Sequence, residues 1–423
     1  MKKYFIIFFN TLLLIFFLEV FFKTKDFFND NYFDNKKNII SFYSNYKSHP
    51  LFVYSARKNN SGKSIHYVPD EYFRTTTNGD GFRTHEFYPK YKDNFRILIL
   101  GDSMVYGQNA NDVDTIAVNL EKLYKKKISN KIEVLSLGVT GYSGLNYSGI
   151  ARTYFDYLDP DVIIICVDQS DFNDDEFKIN SYNYEYDNEG YPYFVNLDEN
   201  KKSFTIDTNR VIAFVANNKN ELIHKIKLES SLFHRINYLK HKLRRRNLDN
   251  EFEKYKKQEF KKLNYKLLSS SEKKNLFNLV DNGDVLKYDL EKSKKEYKIT
   301  FNSLKYVSKK AESLNAKLYF STHPYSWHIN PEFSLYYQLK FFNQMLDFRE
   351  NNVYPELVNH YAKLLDVENL NSFDHFRKLS GIKLWGDYDS HFNARGYEEY
   401  ANFLFNKTEN FITEKIKLNE TIK

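Results

Sequence analysis

The segment that most constrains the fold is Phe95-Arg-Ile-Leu-Ile-Leu-Gly-Asp-Ser-Met-Val-Tyr-Gly107. Phe95 to Leu100 is a short apolar run rich in aliphatic and β-branched residues, the mark of a buried strand. It stops at Gly101, and Asp102 and Ser103 follow before a helix-like stretch. A chain that hands a buried strand directly to a helix builds an α/β sheet, and such sheets form their sites at the carboxyl ends of the strands. Ser103 would stand at that edge, where the first backbone N–H groups of a helix face a developing anion. Taken alone, Gly-Asp-Ser is equally an ordinary turn of small residues, so the rest of the chain has to decide.

The same rhythm continues downstream. Asp112 or Asp114 is placed to cap a helix predicted from about Thr115 to Lys126, with Ile116, Leu120 and Leu123 on one face. Lys131 to Leu137 reads as a second strand and ends in the turn Gly138-Val-Thr-Gly-Tyr-Ser-Gly144. A helix over roughly Asn146 to Leu158 stops at Asp159-Pro160, and Asp161 to Val167 is a third, fully buried strand. This alternation predicts a parallel, doubly wound sheet. The pattern breaks over 176–300, read as a basic, largely helical insertion that contains Lys240-His-Lys-Leu-Arg-Arg-Arg246. It resumes with a helix from Lys298 to Leu314, a strand from Ala316 to Ser321 and a loop carrying His323, Trp327 and His328. The last segment runs Gly386-Asp-Tyr-Asp-Ser-His-Phe-Asn393 into an amphipathic helix that ends near Lys417.

The N-terminus bears on the compartment. Lys2 and Lys3 precede Tyr4 to Phe22, an apolar run close to the ~20 residues that span a bilayer. No small-residue cleavage site follows it, so residues 1–25 read as an uncleaved signal anchor. Glu19 is costly in lipid but lies near the end of the run, within reach of the interface. Residues 26–94 form a stalk or an early packing segment, with Asn78-Gly-Asp-Gly-Phe-Arg83 as a tight-turn signal. The expected division is then 95–175 and 301–423 as two parts of one α/β domain, interrupted by 176–300. A net charge of +7 over 423 residues does not by itself imply a nucleic-acid partner. One cysteine, Cys166, inside an apolar run, rules out an internal disulfide or a cysteine metal site. His323 and His328 lack a zinc-type motif, and no metal or cofactor is expected.

A serine hydroxyl is a poor nucleophile until a base removes its proton, and that base is usually a histidine steered by a carboxylate. Asp389-Ser-His391, just ahead of the final helix, supplies both residue types, with Asp387 as an alternative acid. The backbone N–H of Ser103 and the glycine turn after the second strand offer oxyanion donors, and the polar block Asp168 to Asp174 offers a third. His323, Trp327 and His328 would line an acceptor site, where aromatic rings stack on sugars.

These blocks, in this order, resemble the SGNH (GDSL-type) hydrolase superfamily over about residues 95–175 and 315–415. The resemblance implies a flavodoxin-like three-layer α/β/α sandwich and a Ser-His-Asp esterase or acyltransferase. Ser103 matches its nucleophile, His391 its base, Asp389 the acid and Gly141 the glycine donor. The spacing of two between acid and histidine, and Asn78-x-x-Gly-Phe-Arg83, resemble the membrane-anchored or periplasmic branch that modifies acetyl groups on polysaccharides. That branch implies a single-pass protein with its catalytic domain on the periplasmic side and an acylated carbohydrate or other ester as substrate. One block departs: the family has Gly-x-Asn-Asp after the third strand, and Ser170 stands at the asparagine position. The reading is a membrane-anchored esterase with Ser103, Gly141 and Ser170 around the oxyanion. Its alternatives are a polysaccharide O-acetyltransferase with the same site and a non-catalytic glycan-binding scaffold.

Overall fold

The computed structural model describes residues 2–27, 39–41, 46–49, 51–65, 73–91, 94–196, 230–279 and 290–421. Its centre is a five-stranded sheet of β1 (Phe95–Leu100), β2 (Ile132–Ser136), β3 (Val162–Cys166), β4 (Lys317–Thr322) and β5 (Glu368–Asn371). The strand order is β5-β4-β3-β1-β2, and every pairing is parallel. This is the flavodoxin-like order, whose switch point lies between β1 and β3.

Alternate side chains of each strand go to opposite faces, as the two-residue period demands. Leu98, Leu100, Ile163, Ile165 and Phe320 pack against α4 (Gly144–Leu158), α7 (Lys298–Ser313) and α8 (Val353–Leu364). Ile97, Ile99, Ile164, Cys166 and Tyr319 face α3 (Ile116–Lys127) and α9 (Ala394–Thr421). The result is the three-layer α/β/α sandwich. A parallel sheet covered on both faces requires strands that are apolar throughout, and β1 and β3 are buried at every position.

The remaining elements fit around this frame. Tyr46, Phe52, Tyr54 and Ala56 belong to the core on the α4 side, so that part of the lead-in is packing rather than stalk. Neither Asp112 nor Asp114 caps α3. The cap residue is Thr115, and Asp112 instead meets Arg83 and the Thr76 N–H. Within the insertion, α5 (Asp171–Ser181) leads to a hairpin of Asn183–Tyr186 with Pro192–Asn196, and α6 (Ser231–Lys256) follows later. Residues 197–229 and 280–289 of that stretch lie outside the described residues.

Helix α1 (Lys2–Phe27) contains one segment, Ile6–Thr24, long and apolar enough to cross a membrane, with a mean hydropathy of 2.1 and none of it buried. Glu19 near its end accepts hydrogen bonds from Ser230 Oγ and Leu232 N, both at 2.9 Å, at the start of α6. At its other end α6 packs on the body through Leu248. There Asp249 accepts from the hydroxyl of Tyr388 at 2.6 Å.

Candidate active site

Ser103 owes its position to β1 and to what immediately follows it. A Cβ on Gly101 would run into the Val105 side chain, so only glycine lets the chain leave the strand this tightly. Asp102 Oδ1 accepts the Met104 N–H at 2.9 Å, capping a one-turn helix, α2 (Ser103–Tyr106). Gly107, at φ +77°, closes that helix in the left-handed region and turns the chain toward Gln108 and Asn109. Ser103 is buried to 7% exposure, and its Oγ lies 3.0 Å from Asp102 Oδ2.

The loop before α9 folds back over this edge. His391 Nε2 lies 2.7 Å from Ser103 Oγ, and His391 Nδ1 lies 2.6 Å from Asp389 Oδ1. A chain of two short hydrogen bonds thus joins residues 288 positions apart. Asp389 is 1% exposed, and further donors reach its carboxylate. Oδ1 accepts Ser390 N at 2.7 Å, and Oδ2 accepts Asn109 Nδ2 at 3.0 Å and Gln108 Nε2 at 3.4 Å. With Asp389 an acceptor only, His391 carries its proton on Nδ1 and offers the Nε2 lone pair to the serine. Burial works against a charged imidazole here, but the neighbouring carboxylates, Asp389 foremost, outweigh it and raise the His391 pKa above its usual value. Asp387 is exposed and pairs with Lys383, away from the histidine.

A second polar cluster lies behind Ser103, at the end of β3. Asp168 Oδ1 accepts Ser170 N and the Tyr325 hydroxyl, both at 2.7 Å, and Oδ2 lies 2.9 Å from His323 Nε2. Burial alone would raise the Asp168 pKa, but His323 and these donors hold it down to about 2. Asp102 is pushed up to about 6 by burial and by the Asp168 charge. Asp171, also buried, is pushed well above the carboxylate range by burial and by Asp102 and Asp168. Among the described residues, no group of three or more His, Cys, Asp or Glu side chains is placed to hold a metal ion.

The expected oxyanion donors take these places. Gly141 sits in the turn after β2 at φ +73°. Its carbonyl accepts a hydrogen bond from Lys178 Nζ at 2.8 Å. Ser170 precedes α5, and its hydroxyl makes no capping bond. Among the described residues no acceptor takes the backbone N–H of Ser103 or of Gly141.

His323, Trp327 and His328 require a correction. All three are buried, at 0%, 1% and 1% exposure, and none presents a ring to an acceptor site. Trp327 stacks on Tyr325 with centroids 4.7 Å apart, and packs with Leu263, Phe342, Leu346 and Phe348. Burial drives the His328 pKa down to about 3, and its neutral Nδ1 accepts the Tyr325 N–H at 3.2 Å. The loop after β4 is a packing element because it builds the core beneath a small parallel pair, Lys262–Asn264 with Met345–Asp347.

Several contacts at this edge come from residues that sequence reasoning missed. Gln108 and Asn109 reach the Asp389 carboxylate. Lys178, almost fully buried, donates to Gly141 O, Ser143 Oγ (2.6 Å) and Asn146 Oδ1 (2.8 Å). The only available signal was position: two amides directly after the glycine that ends the Gly-Asp-Ser segment.

No protein-family model matches the chain, and no curated protein matches it. Solved structures similar to it include the esterase EstA from Pseudoalteromonas sp., at 9% identity and a TM-score of 0.34, covering 75% of this chain and 99% of that one. Another is a catalytic mutant of Axe2, an acetylxylan esterase from Geobacillus stearothermophilus, at 10% identity and 0.35, covering 75% and 95%. A GDSL-like lipase candidate from Parabacteroides merdae stands at 12% identity and 0.34, covering 76% and 99%. With TM-scores below 0.5, these likenesses bear on neither mechanism nor substrate.

Proposed function

We propose that the protein is a membrane-anchored serine esterase of SGNH type, acting on short acyl esters of cell-envelope or exported carbohydrate. The observation that carries this reading is the unbroken contact from Ser103 Oγ through His391 to Asp389, at 2.7 and 2.6 Å. Ser103 Oγ attacks the ester carbonyl carbon while its proton passes to His391 Nε2. Negative charge develops on the carbonyl oxygen, toward the N–H groups of Ser103 and Gly141 and the Ser170 hydroxyl. As the tetrahedral adduct collapses, the bond to the alcohol oxygen breaks and His391 returns its proton to that oxygen. Water, or the hydroxyl of an acceptor sugar, then meets the acyl-serine through the same base. Asp389 holds the imidazole tautomer and stabilises the imidazolium.

The carbohydrate substrate rests on the sequence resemblance, and the anchor on the apolar segment Ile6–Thr24. In this reading the lysines at residues 2 and 3 stay in the cytoplasm and the body lies outside it. The test is hydrolysis of a short-chain aryl acetate by the detergent-solubilised full chain. Ser103→Ala and His391→Ala should each abolish turnover, and activity unchanged by both would end the esterase reading. Adding acetylatable glycans and following acetylated product separates transfer from hydrolysis.

A further inference from the structure

From the geometry of the lead-in segment we infer that Arg83 is a positioning residue for the Asp389 carboxylate, acting through the loop that follows Ser103. This rests on the Ser103-His391-Asp389 reading. The turn that delivers Arg83 is closed on itself. Asn78 Oδ1 accepts Asp80 N at 3.0 Å and Phe82 N at 2.9 Å, and Asn78 Nδ2 donates to His85 O at 2.9 Å. Gly81, at φ +92°, lies so close to the Ala56 carbonyl that no Cβ fits.

The turn aims Arg83 inward, where it is 5% exposed, and its guanidinium is fully engaged. Nη1 donates to Tyr106 O at 3.1 Å and Gly107 O at 2.7 Å. Nη2 donates to Ala110 O at 2.7 Å and Arg74 O at 2.6 Å, and Nε to Asp112 Oδ1 at 2.7 Å. Three of these carbonyls bracket Gln108 and Asn109, the two residues whose amides reach Asp389 Oδ2. Asn109 is itself held at φ +64°, a conformation that needs external support. Gln108 Nε2 also lies 3.2 Å from His391 Nδ1. One planar cation therefore ties the end of the nucleophile's helix to the residues that hold the triad's acid. A lysine, with a point charge and no fork, cannot reproduce five coplanar donors.

The consequence has a sign. Donors on Oδ2 disperse the Asp389 charge. If they are lost, more negative charge faces His391 Nδ1, the imidazolium is favoured further, and the acid limb of the rate profile moves to higher pH. The experiment compares Arg83→Lys, Asn109→Gly and the double variant in the full chain, following aryl acetate hydrolysis across pH. Arg83→Lys is expected to lower kcat by about a hundredfold, the scale of a small misplacement of catalytic groups, with KM nearly unchanged. Both single variants should shift the acid limb upward, and the double variant should be no slower than the slower single. An unmoved limb with effects that multiply would assign Arg83 to folding alone and overturn the inference. If circular dichroism shows Arg83→Lys unfolded, Asp112→Asn loosens the same clamp and carries the same two readouts. Ser103→Ala runs alongside: residual activity there removes the triad reading itself, whereas its loss with no effect of the clamp variants removes this inference alone.

Discussion

Replacing Asp389 by asparagine is the sharpest perturbation of this site, because the surroundings leave the new amide no good orientation. The carboxylate faces donors on both sides, His391 Nδ1 and Ser390 N on Oδ1 and Asn109 Nδ2 and Gln108 Nε2 on Oδ2. If the amide NH2 occupies the Oδ2 side, it meets two other NH2 groups. If it occupies the Oδ1 side, it meets the Ser390 N–H and drives His391 to the tautomer with its proton on Nε2, facing Ser103, where it cannot act as a base. A wrong tautomer in a serine triad costs about 10⁴ in kcat, roughly 5 kcal/mol of barrier. The pH profile should change as well. Asp389 is the largest of the charges that raise the His391 pKa, so its loss lowers that pKa and moves the acid limb to lower pH. The base must be neutral to act, hence activity is lost below the limb and retained above it. Measuring kcat/KM for an aryl acetate from pH 5 to 9 tests both effects. A folded Asp389→Asn protein within about tenfold of the parent, with its acid limb in place, would refute the assignment of Asp389 as the acid.

Three further outcomes follow from the geometry. Lys178→Met removes a buried donor from Gly141 O, Ser143 Oγ and Asn146 Oδ1, together with a charge that lowers the Asp175 pKa, so denaturant unfolding should show a loss of about 1–3 kcal/mol. Ser170→Ala should lower kcat by about 10²–10³ if its hydroxyl donates to the oxyanion, with KM less affected, and a kinetically silent substitution would limit the site to its two backbone donors. Gly138→Ala places a Cβ 2.6 Å from Val105 Cβ and 2.7 Å from Tyr106 N, on the turn that carries Ser103, so thermal melting should show about 1–3 kcal/mol of overpacking together with loss of turnover.

The parts of the fold that were legible are those whose physics is local. β1 and β3 announce themselves as aliphatic runs because they are buried on both faces. β5 does not: Glu368-Asn-Leu-Asn371 is an edge strand with one buried side chain, Leu370, and it shows no apolar pattern. The sequence places Ser103 at a strand end and Asp389 and His391 ahead of a helix, and the sheet's topology makes those two places neighbours. Gln108 and Asn109 left only their position directly after Gly107, and Lys178 left no trace, because a single polar residue in a loop or helix ordinarily reads as solvated. His323, Trp327 and His328 misled for the related reason that a loop ordinarily runs on the surface. This one is covered by strands some 20 and 60 residues away in sequence, a contact no local window contains.

The departure at Ser170 is tied to a second one beside it. Where the resembling family has glycine, this chain has Asp168, a carboxylate held buried and low by His323 and Tyr325. Its charge has two effects on Ser103. Burial and this charge together raise Asp102 to about 6, which leaves it less ionised near neutral pH than an ordinary aspartate and a weaker competitor for the Ser103 proton, whose Oγ lies 3.0 Å from Asp102 Oδ2 and 2.7 Å from His391 Nε2. It also adds to the field that favours a protonated His391, the state the histidine would reach in the proposed reaction as the tetrahedral adduct forms. Against this stands a cost at the oxyanion. The Ser170 N–H is turned to Asp168 Oδ1 at 2.7 Å and is not free to donate there. Position 170 can then serve the oxyanion only through its hydroxyl, which makes no capping bond. A glycine at 168 would release the Ser170 N–H but lose the charge that supports the imidazolium. The site therefore trades a fixed backbone donor for a stronger field at the base, and a serine with a free hydroxyl is the residue type that lets position 170 still donate under that arrangement.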